Sequence, residues 1–123
     1  MALSSFVNGS VFGARFGEDP ARVIALHGWG RTHKDFDVCL EGLNAVSIDL
    51  PGFGVSPPPN QAGGAAMYAE LISPILDTCR TPVVVVGHSF GGRVAVHLAE
   101  QRPAAIGGLV LTGVPLLHRA HRK

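Results

Sequence analysis

The chain has 123 residues, 46% hydrophobic and 15% charged, with a net charge of +1 and a mean hydropathy of +0.28. That composition excludes a disordered polymer and suits one compact domain with one core, residues 1–123. The near-neutral balance provides no basic field for a phosphate backbone, and no run approaches the ~18 apolar residues of a membrane helix, so neither nucleic acid nor membrane is an expected partner.

In chain order, MALSSFVNGS lacks the charged start and continuous apolar stretch of a secretory signal, which makes a cytoplasmic protein the default. VNGSVFGARF (7–16) predicts one or two antiparallel edge strands with a turn at Asn8-Gly9. VIAL (23–26) and AVSI (45–48) are short and β-rich, as are VVVV (83–86) and GLVLT (108–112), and these four predict strands. Thr32–Leu40, Ala65–Leu76 and Phe90–Gln101 carry apolar residues at three- and four-residue spacing and predict helices. VSPPPNQAGG (55–64) predicts a loop, because three prolines remove backbone donors and the glycines loosen the chain. Apolar strands alternating with helices imply an α/β fold, a mostly parallel sheet with helices on both faces. Cys39 and Cys79 stand singly and read as small buried hydrophobes, with no zinc or disulfide pattern.

The stretch VVVVGHSFGG (83–92) poses the functional question. A strand that turns into a helix within a few residues strains the central residue and crowds its neighbours, which accounts for Gly87, Gly91 and Gly92 around Ser89. Such a turn lifts the serine oxygen beyond the carboxyl edge of the sheet, beside helix N–H groups that stabilise negative charge. A glycine-rich turn with an incidental serine is the plainer alternative.

Two more motifs follow strands in the same way: HGWG (27–30) after VIAL, and DLPGFGVS (49–56) after AVSI. In this order and spacing the chain resembles the α/β-hydrolase superfamily over about residues 20–115. The resemblance places the nucleophile at Ser89 and the oxyanion hole at the backbone N–H groups of Phe90 and Trp29. It makes His27, Gly28, Gly30, Asp49, Gly87, His88, Gly91 and Gly92 supporting motif residues. Donors of this kind are each worth about 2.7 to 4 kcal/mol; Gly28 and Gly30 let the backbone approach, and the Trp29 ring lines an acyl pocket. Asp49 reads as loop support rather than a catalytic acid, since the resemblance implies a sheet order in which its strand lies on the far side of the HGWG strand from the nucleophile.

A serine also needs a histidine base and a carboxylate to orient it. After Ser89 the only acidic residue is Glu100, within the last predicted helix. His27 belongs to the oxyanion motif, His88 must point away from Ser89, and His97 lies inside a helix. His118 and His121 fall in a basic tail, where two ligands without a third make no metal site. Neither a metal nor an organic cofactor is implied, and the glycine-rich turns lack the G-x-G-x-x-G and P-loop patterns of nucleotide sites. Compared with the superfamily, the last strands carrying acid and base are missing. The expectation is therefore an incomplete fold, marginal or self-associating through the exposed edge at 108–112, with little turnover on a small apolar ester or thioester. The alternative is a non-catalytic scaffold or binding module.

Overall fold

The computed structural model describes residues 3–114. Six strands, β1 (Leu3–Phe6), β2 (Val11–Phe16), β3 (Val23–Leu26), β4 (Ala45–Asp49), β5 (Val83–His88) and β6 (Ile106–Thr112), form one sheet in the order β1-β2-β4-β3-β5-β6. β3 pairs in parallel with β4 and β5, and β5 with β6. β1 and β2 run antiparallel to each other, and β2 antiparallel to β4. The 7–16 stretch thus yields a turn and one inner strand, β2, and the edge strand β1 precedes it; Val7, Asn8 and Gly9 all have positive φ in the turn.

The two faces of the sheet are covered unequally. On one face, Ile24, Leu26, Val46, Ile48, Val83 and Val85 pack against Val94, Ala95 and Leu98 of α2 (Phe90–Gln101) and Tyr68, Ala69 and Ile72 of α1 (Ala65–Ile72). On the other, Ala14, Phe16, Ala25 and Ala45 meet only Phe36 and Leu40. Val84 and Val110, on that second face, stay 37% and 48% exposed. The parallel strands are therefore covered on both faces near β3 and β4 and on one face at β5 and β6.

Two of the three predicted helices differ from expectation. Thr32–Leu40 forms a 3-10 turn, His33–Phe36, capped by the Thr32 side chain, instead of an α-helix. Its sequence is rich in His, Asp and Val, all weak helix formers, and the first residue of the turn is drawn aside by Asp49, whose carboxyl accepts the His33 N–H. Ala65–Leu76 is α-helical only to Ile72 and continues as a 3-10 segment, Ser73–Thr78. Pro74 has no N–H for the Glu70 carbonyl; the Ser73 hydroxyl donates to that carbonyl instead, at 3.0 Å.

α2 matches its predicted limits, and its first turn sits directly on the end of β3. A Cβ at Gly91 would collide with the carbonyl oxygens of Leu26 and His27, and one at Gly87 would lie 2.6 Å from the Gly92 Cα. Those carbonyls are backbone and have nowhere to move. Gly91→Ala should therefore lower the unfolding free energy by about 2 kcal/mol, within the range of overpacked cores. Urea denaturation should separate it from Gly30→Ala, where φ is +79° but the surrounding space is open and the strain costs about 1 kcal/mol.

Candidate functional site

Ser89 stands where β5 ends and α2 begins, with φ 55° and ψ −119°. This is a conformation that side chains other than glycine seldom adopt, and it persists only where the surroundings impose it. Here they do so from three sides. The Ser89 N–H donates to the Thr112 carbonyl at the end of β6, at 2.9 Å; the Ser89 carbonyl accepts from the Gly92 N–H at 2.9 Å; and Gly91 holds the helix against β3. The side chain is left partly exposed at the carboxyl edge of the sheet, at the amino end of α2.

The loop from His27 to Thr32 runs beside it. The space beyond the Gly28 Cα opens onto the Ser89 Cβ, where a Cβ on Gly28 would be at 3.4 Å, an ordinary contact. Gly28 is thus not required by close approach, whereas Gly30 is required by its left-handed φ of +79°. Neither the Trp29 N–H nor the Phe90 N–H has a backbone acceptor among the described residues. Above these amides the Trp29 ring, 61% exposed, makes edge contacts with Phe53, Tyr68 and Phe90, at centroid distances of 4.9, 6.1 and 5.0 Å. Tyr68 and Phe90 also meet edge-on at 5.3 Å. The result is an aromatic wall next to Ser89, assembled from four separate segments. Phe53 belongs to the DLPGFGVS motif, and Tyr68 is on the buried face of α1.

Residues 23–121 match the Alpha/beta hydrolase family. The chain belongs to that family. Among its relatives is the esterase Rv0045c of Mycobacterium tuberculosis (strain ATCC 25618 / H37Rv), 34% identical over 110 residues, covering 86% of this chain and 37% of the relative. Lipase LipV of the same organism is 40% identical over 95 residues, covering 75% of this chain and 36% of the relative. A crystal structure of esterase Rv0045c superposes with a TM-score of 0.79 at 32% identity, over 89% of this chain and 39% of that one. This hydrolase-family chain therefore spans well under half the length of these relatives.

Asp49 of this hydrolase-family chain is fully buried, two strands from Ser89 across β3. It holds loops together: Oδ1 accepts from the His33 N–H and Nδ1, and Oδ2 accepts from the Val55 N–H. Ser56, equally buried, donates to the Asp49 carbonyl at 2.6 Å and accepts from the Phe12 N–H at 2.9 Å, locking the 50–56 loop to β2. None of the four described imidazoles is hydrogen-bonded to Ser89. His27 and His33 serve the loop, His88 Nδ1 pairs with Thr112 Oγ1 at 2.8 Å, and His97 pairs with Glu100 at 3.1 Å. His118 and His121 lie outside the described residues. No cluster of three metal-ligating side chains occurs among the described residues.

His27 has its tautomer fixed by its neighbours. Nδ1 faces the Gly28 carbonyl at 2.7 Å and must donate, while Nε2 accepts the Leu50 N–H at 2.9 Å. Burial lowers its pKa below the ordinary 6.5; the bond to Gly28 and the nearby Asp49 and Asp35 oppose that shift, and His33 adds to it. With the folded value depressed, the unfolded chain takes up the proton first, so the stabilisation from neutral His27 is complete above about pH 6.5 and is lost as pH falls toward the folded value. Protonation also gives Nε2 a hydrogen facing the Leu50 N–H. Urea midpoints measured from pH 8 to pH 5 should fall below about pH 6.5, and His27→Asn, less stable at pH 8, should show a flatter profile.

Proposed function

We propose that Ser89 is the nucleophile of an ester or thioester hydrolase that works through an acyl-enzyme. The observation that carries this is the strained Ser89 backbone at the amino end of α2, with the open side of Gly28 facing its Cβ. In such a hydrolase the Ser89 oxygen attacks the substrate carbonyl carbon and passes its proton to a base, and the carbonyl oxygen becomes an anion between the N–H groups of Trp29 and Phe90. The bond to the leaving alkoxide or thiolate then breaks, that group takes the proton, and water releases the acid in a second cycle. The esterase and lipase relatives support an ester-type substrate. The aromatic wall of Trp29, Phe53, Tyr68 and Phe90 suits a small apolar acyl or alcohol group. No cofactor enters this chemistry. Cys39 is exposed and Cys79 half-buried, so neither is the buried hydrophobe expected, and as free thiols they suit a reducing, cytoplasmic compartment.

Among the described residues no imidazole is hydrogen-bonded to Ser89; His33 and His97 each have a carboxylate on Nδ1, Asp49 and Glu100, but neither ring reaches the serine in a hydrogen bond. With no such base among the described residues, acylation of Ser89 is assigned to be slow and turnover small, and the β6 edge, unpaired among the described residues, is assigned to self-association. The lack of an imidazole bonded to Ser89 among the described residues favours a second assignment, a non-catalytic scaffold. A fluorophosphonate probe decides between them. The expected result is slow labelling of the Ser89 peptide, read by mass spectrometry and absent in Ser89→Ala, with no steady release of p-nitrophenol from p-nitrophenyl butyrate. Folded chain that stays unlabelled points to the scaffold, and sustained Ser89-dependent turnover refutes the assigned lack of a base.

A further inference from the structure

We infer that His33 is a positioning residue for the oxyanion loop, acting through Asp49; this rests on the serine hydrolase assignment above. The loop between His27 and His33 carries the Trp29 N–H, and it includes Gly30, whose backbone is left-handed and where a side chain would meet open space. Left to itself such a segment samples many conformations, and an oxyanion donor is worth its full amount only when held in place beforehand.

The loop is fastened at both ends to two consecutive residues at the end of β4. At its start, the His27 ring accepts the Leu50 N–H and donates to the Gly28 carbonyl, which also accepts the Arg31 N–H at 3.0 Å to close a turn. At its end, Asp49 Oδ1 accepts two hydrogen bonds from the one residue His33, from the backbone N–H at 2.7 Å and from Nδ1 at 2.9 Å. The Ser47 hydroxyl secures the His33 carbonyl at 2.8 Å. His33 and Asp49 are both buried, at 8% and 0% exposure, so water cannot substitute for a bond that is lost, and a buried acceptor without its donor is costly. The backbone bond alone ties the chain to Asp49. The ring bond adds a second attachment that fixes the carboxyl orientation, leaving Oδ2 on the Val55 N–H and the two loops in register.

The decisive contact uses Nδ1, the ring nitrogen bonded to Cγ, so the amides of Asn and Gln separate a positioning role from mere polarity. Asn places an N–H donor near the Nδ1 position, and Gln carries it one bond further. The full chain is compared as wild type, His33→Asn and His33→Gln. The readouts are Ser89 fluorophosphonate labelling, amide hydrogen exchange at residues 28–32 against α2, and the fluorescence of Trp29, the single tryptophan. Expected for His33→Gln are labelling slowed about tenfold, a fraction of the ~100-fold effect of removing an oxyanion donor outright, with faster exchange confined to 28–32 and red-shifted Trp29 emission. His33→Asn should stay near wild type in all three. Should His33→Gln fail to fold, His33→Ala, which keeps the backbone bond, replaces it under the same criteria. Wild-type exchange and labelling in the folded Gln or Ala chain would overturn the inference, as would equal slowing in Asn and Gln. An unlabelled but folded wild type instead overturns the hydrolase assignment on which the role rests.

Discussion

Contact between the first turn of α2 and the carbonyl groups that end β3 is the constraint on which the rest depends. At Gly91 helix backbone meets strand backbone with no room for a side chain, and this fixes where the chain turns after β5. The same approach pulls Ser89 into its positive-φ conformation and sets it beside the loop that leaves β3. The strain at Ser89 is thus a product of packing several residues away. It is sustained by a core in which Leu26, Val85, Val94 and Leu98 are all fully buried.

A second layer of organisation is polar and lies at the end of β4. Asp49 and Ser56 are buried among hydrogen bonds that join two loops and β2. Buried polar groups are expensive unless satisfied, and here they are satisfied by three backbone N–H groups, the His33 ring and the Asp49 carbonyl. The DLPGFGVS motif therefore does its work through the carboxyl and hydroxyl at its two ends. Gly54 sits so close to the Asp49 carboxyl that a side chain there would displace it.

Much of this was legible in the residues. The four apolar runs became strands because short β-branched segments between helices have one good solution, a parallel sheet, and α2 kept its predicted limits because its apolar spacing and glycine-rich start agree. The helix expected at Thr32–Leu40 failed because local spacing carries no information about Asp49, which captures the first residue of that turn from another strand. The end of α1 was legible in Pro74, and helical periodicity hid it. His33 and Thr112 escaped notice as members of the site for a related reason. Their parts come from strand register, which sets Thr112 opposite His88, and from tertiary bonds between residues 16 apart in sequence, neither of which a motif displays.

The bond from the Ser89 amide to the Thr112 carbonyl, together with the Thr112 hydroxyl on His88, makes the last residue of β6 a mechanical neighbour of the reactive serine. Gly113, with φ 61°, follows at once and lies against the His88 ring. A tug on the backbone at this swivel would travel through one carbonyl to the serine amide, so the polypeptide leaving β6 holds a short lever on the site.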